Sequence, residues 1–415
     1  MPIALAFSGG LDTSFCVPYL KEETGQEVHT VTVDTGGFSA EETAEIEQRA
    51  HALGAASHTL VDARAELWDR VLQYLVKGNV RRGGVYPLCV GPERVVQAEA
   101  LVREARRLGA GAVAHGSTGA GNDQIRFDGA LRMLASGASS EGAPLEVITP
   151  IRTLALSRED SAAYLQERGH AVSAETTAYS VNAGLWGTTI GGAETHRPDG
   201  ELPESAWVST VAPEAAPDTP RRLTLEWASG VPIELDGEAM DPVALVEALN
   251  EVGAQHGVGR GVHVGDTILG IKGRVAFEAP AAEILLGAHR ELEKVVLTQA
   301  QLVHKAALGD LYGRLVHEGQ FFEPLARDLE AFLDSTQRRV TGTVTVEMFK
   351  GSARVVGAAS PHSLFSAGAR YGEDSALWDG RDAEGFARIY GLQARLAARA
   401  SGGAAGVGVT PEARE

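Results

Sequence analysis

The sequence predicts an α/β fold, and three observations carry that prediction. A βα rhythm runs through about the first 170 residues, a glycine-rich turn follows the first strand-like run, and the texture of the chain changes near residue 175. The rhythm consists of apolar runs at 3–7, 28–33, 58–61, 112–115 and 146–149, separated by amphipathic stretches that include 40–53, 63–75 and 93–108. Such alternation predicts a parallel sheet covered on both faces, with 1–170 as its expected extent. Beyond it, 207–211, 222–227, 231–235 and 340–349 read as strands, Pro232 confining the third to an edge or a strand start. Because 242–256 and 280–302 read as helices, 171–355 is expected to form a separate α+β domain. Residues 356–400 are expected to form a C-terminal helical arm. Within it, 382–399 reads as one helix with Phe386, Ile389, Leu392 and Leu396 on a single face, which needs a partner surface. The tail, 401–415, reads as disordered.

The glycine-rich turn is the string Ala6, Phe7, Ser8, Gly9, Gly10, Leu11, Asp12, Thr13 and Ser14, which leads into a stretch at 15–23 that can be helical. A strand, a tight turn and a helix aim backbone N–H groups and a helix N-terminus at one point, a site for an anion and above all a phosphate. Gly9 and Gly10 let the backbone come close to a ligand, while Ser8, Thr13 and Ser14 add hydroxyl donors. Asp12 is the odd member: a carboxylate beside phosphates needs a cation between them, which points to Mg²⁺. The string is neither a G-x-x-x-x-G-K-[ST] loop nor a G-x-G-x-x-G turn. Asp-Thr-Gly-Gly at 34–37 and Gly-Ser-Thr-Gly at 116–119 end later strands and fall on the same carboxyl edge of the sheet, where ligands bind.

Composition narrows the function further. A hydrophobic content of 44% with 22% charged residues is that of a soluble globular protein. No apolar run is long enough to span a bilayer, and the N-terminus lacks the basic and cleavage features of a secretory leader. Cys16 and Cys89 are too few for a disulfide framework, and each reads as a packing residue in a cytoplasmic protein. The formal charge of −18, from 37 basic and 55 acidic residues, argues against a nucleic-acid partner.

The string at 6–14 resembles the PP-loop of the N-type ATP pyrophosphatases, which cleave ATP between its α- and β-phosphates. Three further segments resemble one family among them. AHGSTGAGNDQIRFD at 114–128 is similar to the argininosuccinate synthase signature A-x-G-x-T-G-K-G-N-D-Q-x-R-F-[ED], and YSVNAGLWGTTIGG at 179–192 to its Y-S-x-D-x-N-L-W-x-x-S-x-E-G-G. GIKGRVAFEAP at 270–280 resembles its G-x-K-S-R-G-x-Y-E-x-P, and the likeness extends in order almost to residue 400. The resemblance implies a nucleotide-binding domain of pyrophosphatase type, a synthetase domain and a cytoplasmic homotetramer in arginine biosynthesis. It further implies an ATP-dependent C–N ligase. The ureido oxygen of citrulline attacks the α-phosphorus of ATP, and the amine of aspartate then displaces AMP.

Carried onto this sequence, the ATP contacts are Ala6 to Ser14, Val33 and Gly116. Aspartate contacts are Thr118, Asn122 and Asp123, and citrulline contacts are Tyr86, Asn122, Arg126, Ser180 and Thr189. Asp12, Asp123 and Arg94 are the expected catalytic residues, Asp12 also the Mg²⁺ ligand. Asp123 suits an incoming ammonium and a proton-accepting role, and Arg126 suits a substrate carboxylate, with a structural ion pair as the alternative. Departures from the family pattern cluster at the acceptor. Ala120 replaces a Lys, Gly91 stands where a Ser contacts citrulline, and Asn182, Gly184 and Gly191 replace Asp, Asn and Glu. Gly265 aligns with the Glu that receives citrulline's α-ammonium, and Phe277 with a nearby Tyr. Glu278 or Asp266 is the candidate substitute. A paralogue using a different ureido, carbamoyl or amide acceptor, and an inactive nucleotide-binding regulator, are the alternative readings.

Overall fold

A computed structural model describes residues 1–119, 121–137, 142–172, 178–366 and 377–401. Ala120 and all but the first residue of the expected tail lie outside the described residues.

Five parallel strands form the first sheet: β1 (Ile3–Ala6), β2 (Val28–Asp34), β3 (Ser57–Asp62), β4 (Ala112–Ala114) and β5 (Glu146–Ile148), in the order β3-β2-β1-β4-β5. The central strand β1 shows why both faces are covered. Ile3 and Leu5, with Phe7 just beyond the strand, point to one side, where they meet α1 (Leu11–Thr24) and α2 (Ala40–Ala52) through Phe15, Cys16, Leu20, Ile46 and Ala50. Truncating a fully buried side chain such as Leu5 to Ala costs about 2–5 kcal/mol. After β3 the chain runs through α3 (Arg64–Leu67), a π-helical turn over Trp68–Leu72 and α4 (Gln73–Lys77), before α5 (Glu93–Arg107) and α6 (Asn122–Ala135). The small Ala4 faces the other side of the sheet, in a core with Leu101 and Val102 of α5 and Phe127 and Leu131 of α6. Two short helices, α7 (Pro150–Leu154) and α8 (Arg158–Glu167), close the first face through Ile151 and Leu165.

The second half is built on antiparallel sheets. Its elements are β6 (Tyr179–Asn182), β7 (Thr188–Gly192), β8 (Arg221–Ala228), β9 (Val231–Leu235), β10 (Glu238–Ala239), α9 (Pro242–Gln255), β11 (Arg260–Asp266) and β12 (Lys272–Glu278). There follow α10 (Pro280–Val296), α11 (Gln299–His317), α12 (Pro324–Gln337), β13 (Gly342–Phe349) and β14 (Ser352–Ala359). One sheet has the order β10-β9-β8-β13-β14 and the other β11-β12-β7-β6. Pro232 sits where β9 is effectively an edge, since β10 pairs only with Glu234 and Leu235.

The largest core joins the two halves. Leu67, Trp68, Leu72 and Leu75, which precede α5, pack in one cluster with Leu225, Trp227, Leu285, Tyr312 and Val344. Met1–His362 is accordingly a single compact unit. The expected arm boundary at 356 falls inside β14. In the second unit, Ser363–Glu415, a 3-10 turn at Leu364–Ser366 and the α-helices α13 (Gly380–Ile389) and α14 (Leu392–Ala400) are described.

Three expectations need correction. Residues 207–211 are not a strand: the amides of Val208, Ser209 and Thr210 donate to the carboxylate of Glu278 at 2.8–3.1 Å, which leaves them no ladder to join. The helix expected at 280–302 ends at Val296, because Thr298 starts α11 with a reciprocal capping box to Gln301. The helix expected at 382–399 is broken at Gly391, whose φ of 75° is left-handed. Phe386, Ile389, Leu392 and Leu396 are all exposed.

Candidate functional site

The turn after β1 has the geometry an anion requires. Gly10 is the N-cap of α1 with extended backbone, and no side chain caps it, so the first N–H groups of the helix remain open. Gly9 has φ +73°, and a Cβ there would lie 3.1 Å from Ile46 Cγ1, so glycine is required twice over. Ser8 Oγ and Thr13 Oγ1 lie 3.3 Å apart, and Thr13 Oγ1 donates to the Gly10 carbonyl at 3.2 Å. Arg49 of α2 donates to Ser14 Oγ at 2.8 Å and brings a cation beside the turn, a residue that sequence reasoning missed. Burial raises the pKa of Asp12, against a weaker pull from Arg158. Among the described residues no cluster of three or more His, Cys, Asp or Glu side chains is placed to hold a metal. Asp12 is the one carboxylate within the 6–14 turn, and a carboxylate with phosphate oxygens is a donor set that suits Mg²⁺.

Gly116 joins this turn to the segment after β4. A Cβ on Gly116 would lie 3.0 Å from the carbonyl carbon of Asp12 and from Thr13 N, so only glycine lets the two backbones touch. The same segment then enters α6 at Asn122. Asp128, farther along α6, fixes the helix by accepting from Arg132 and Arg152 at 2.9 Å and pairing with His115 at 3.1 Å. Val33 lies near the end of β2, and Thr118 offers its carbonyl to Arg152. Val33, Gly116, Thr118 and the 6–14 turn do not line the cavity described next.

That cavity, of about 440 Å³, gathers Tyr86, Arg94, Asn122, Asp123, Arg126, Ser180 and Thr189, seven expected site residues, from distant parts of the chain. Ser180 and Thr189 come from the paired strands β6 and β7. Asn122 Oδ1 accepts from the Ile268 amide at 3.0 Å, which ties the start of α6 to the turn between β11 and β12. Asp123 sits between two arginines, with Arg126 Nη1 at 2.7 Å and Arg94 Nη2 at 3.5 Å. Burial opposes its charge, but Arg94 and Arg126 outweigh burial and hold its pKa below the ordinary value. A carboxylate so held is a weak base, which counts against the expected proton-accepting role. Arg126 is also committed: Nε donates to the His317 carbonyl at 2.5 Å and Nη2 meets His317 Nδ1 at 2.9 Å. Arg126 is thus ion-paired with Asp123, another of the expected site residues, and hydrogen-bonded to His317. Burial and then Arg126 push the His317 pKa down to about 3, so His317 is neutral and accepts from Arg126.

The acceptor-side departures resolve individually. A Cβ on Gly91 would lie 3.4 Å from Arg126 Cζ, so this position abuts the guanidinium. Gly184 adjoins Glu93, whose Oε1 would lie 1.6 Å from a Cβ there. Glu93 is buried, accepts from Thr35 Oγ1 at 3.0 Å and leaves Oε1 unpartnered; burial pushes its pKa up to about 8. Phe277 does not line the cavity but packs behind Tyr86, with ring centroids 5.3 Å apart. Glu278 is no substitute for a missing contact, being fully buried among the 208–210 amides. Asp266 does line the cavity, with its carboxylate 2.6 Å from Lys272 Nζ. Arg82, His263, Arg274 and His317 line the cavity too, and nothing local in the sequence marked them. Cys16 and Cys89 are buried, and burial pushes both thiols up, away from nucleophilic chemistry. Among the described residues no helix is long and apolar enough to cross a membrane.

Comparison with known proteins places this geometry. Residues 2–171 match the family model described as the Arginosuccinate synthase N-terminal HUP domain, and residues 179–397 match the Arginosuccinate synthase C-terminal domain. The chain is 44% identical over 402 residues to the argininosuccinate synthase of Methanopyrus kandleri, covering 96% of this chain and 99% of that protein. It is 42% identical over 402 residues to that of Xanthomonas campestris pv. campestris, covering 96% and 98%. For that of Methanocaldococcus jannaschii the identity is 40% over 392 residues, covering 94% and 96%.

Proposed function

We propose, from the premise that this chain belongs to the argininosuccinate synthase family, a division of labour between its turn and its cavity. The protein is an ATP-dependent ligase that joins citrulline and aspartate and forms AMP and pyrophosphate. The observation that carries our reading is the Gly116 contact, which puts the open N-terminus of α1 beside the segment that delivers Asn122 and Asp123.

In this reading the 6–14 turn and the N-terminus of α1 hold the phosphates, with Val33 and Gly116 bordering the nucleotide. Negative charge grows on the departing pyrophosphate, where the turn's N–H groups, Ser8, Ser14 and Arg49 stabilise it. Mg²⁺, held by Asp12 and the phosphates, would neutralise part of that charge. The ureido oxygen attacks the α-phosphorus as the bond to pyrophosphate breaks. The aspartate ammonium gives up a proton to solvent, its amine attacks the ureido carbon, AMP leaves, and the new C–N nitrogen sheds a second proton. Asp123 receives the aspartate ammonium, aided by Thr118 and Asn122, while Tyr86, Arg126, Ser180 and Thr189 bound the acceptor. Arg94 keeps Asp123 ionised. Alignment of three substrates supplies most of the rate, since no covalent protein nucleophile is required. Pyrophosphate release that requires ATP with citrulline, and argininosuccinate formed only when aspartate is added, is the expected result. Pyrophosphate release with no acceptor tested, under conditions where ATP binds, would sink the ligase reading and favour a regulator.

The arm completes the proposal. Phe386, Ile389, Leu392 and Leu396 are exposed apolar residues that suit a subunit contact in a homotetramer working in the cytoplasm. Truncation after Gly380 is expected to lower the assembly state on a sizing column; an unchanged elution volume per subunit refutes the arm.

A further inference from the structure

The wall of the cavity supplied by β11 and β12 has an unusual charge pattern. Four arginines line the cavity (Arg82, Arg94, Arg126 and Arg274) against two carboxylates, Asp123 and Asp266. Asp123, paired with Arg94 and Arg126, is the carboxylate assigned above to aspartate, and Asp266 is paired with Lys272. Arg82 and Arg274, by contrast, donate only to backbone carbonyls, those of Asp266 and of Glu194 and Arg197. Neither guanidinium has a carboxylate within salt-bridge distance among the described residues, although Arg82 lies near enough to Asp266 to help hold it ionised, in a chain whose net charge is −18.

Near Arg82 sits His263. Its ring stacks on Tyr86 with centroids 5.6 Å apart and planes 16° apart. Two glycines make its slot: a Cβ on Gly83 would come within 2.8 Å of His263 Cε1, and one on Gly265 within 2.4 Å of Nε2. The imidazole thus occupies the space a side chain at 265 would use, and Nε2 has no hydrogen-bond partner. Burial and the neighbouring Arg82 lower its pKa, so the ring is neutral near pH 7. The guanidinium of Arg82 beside this neutral ring favours an anion there, and the carboxylate nearest to the ring's side of the cavity, Asp266, is already paired with Lys272.

We propose that this wall recognises the acceptor by its carboxylate alone, so that the enzyme takes ureido acids without using an α-ammonium group, with His263 as the specificity-determining residue. The inference rests on the ligase reading above and deepens it at the acceptor. In a pocket with a carboxylate for the α-ammonium, removing that group from citrulline lowers kcat/KM roughly 10- to 100-fold. Here no such loss is expected.

The test measures pyrophosphate release with ATP and aspartate fixed and compares L-citrulline, 5-ureidopentanoate, which lacks the ammonium, and citrulline amide, which lacks the carboxylate. The expected order has 5-ureidopentanoate equal to or above citrulline, and citrulline amide at least about tenfold below it. The double variant His263→Ala with Gly265→Glu is expected to restore a preference for citrulline of about tenfold or more. An unchanged KM for ATP shows that the variant is folded. Citrulline preferred tenfold by the wild type overturns the inference, and loss of that preference in Asp266→Asn would then identify Asp266 as the ammonium ligand. A folded double variant with the wild-type preference overturns the role of His263. No release with any acceptor overturns the ligase reading and this inference with it.

Discussion

The turn after β1 and the wall made by β11 and β12 are specified in opposite ways. The turn is nine consecutive residues whose shape is local: a left-handed Gly9, an uncapped Gly10 and a helix that begins at Leu11. The wall draws Gly83, Tyr86, His263 and Gly265 from two distant segments, and none of them has meaning until the strands pair. In the proposed reading phosphate is held largely by backbone N–H groups, which depend on few side chains. In the same reading an acceptor is held by side chains brought from afar, which can change singly. That difference fits the place of the departures from the family signature: Gly91, Asn182 and Gly265 line the cavity, and none falls in the turn.

Substitutions can break or sharpen this contrast. Asp12→Ala is expected to have the largest effect, a loss of roughly 10²- to 10³-fold in pyrophosphate release, if charge compensation at the turn governs the first step. Asp123→Ala is expected to raise the KM for aspartate about 10- to 100-fold while pyrophosphate release with citrulline changes little. Equal loss of that release in both variants would erase the distinction between turn and cavity.

A smaller effect concerns Glu93, the buried first residue of α5, which accepts from Thr35 just past β2. Its pKa is about 8 in the folded chain against an ordinary 4.5, so the folded state holds this proton more tightly than the unfolded one. The associated stability is full below about pH 4.5, declines as pH rises toward about 8, and is level beyond it. Glu93→Gln, neutral throughout, is expected to lose less stability than the wild type between pH 5.5 and 8.5, by urea midpoints at the two values. Identical slopes would mean that Glu93 is already ionised in the folded protein.

Most of the parallel sheet was legible in advance because strand and helix periods there are set by neighbours in sequence. The strands at 28–33, 58–61 and 146–149 were placed within a residue of their observed ends. Long-range partners caused the failures. Residues 207–211 have the apolar content of a strand, but the carboxylate of Glu278, seventy residues from Val208, claims their amides. The breaks at Leu297 and Gly391 turn on single capping residues inside otherwise helical patterns. At the site, contiguous motifs exposed the turn and Asn122, Asp123 and Arg126. His263, Arg82 and His317 stand in no recognisable string, and Arg49 looks like any residue near a helix C-terminus. The commitment of Arg126 to His317, 191 residues away, could not be read from either segment.

The core that Leu67, Trp68, Leu72 and Leu75 share with Leu225, Trp227 and Tyr312 limits what can be engineered. The two family models meet between residues 171 and 179, yet that seam in the sequence is not a seam in space. A recombinant fragment ending there would present Trp68 and its neighbours to water, and the complementary fragment would lose the filling of its own interior. Swapping the acceptor-binding half between relatives as a cassette therefore requires that the 63–96 stretch travel with it.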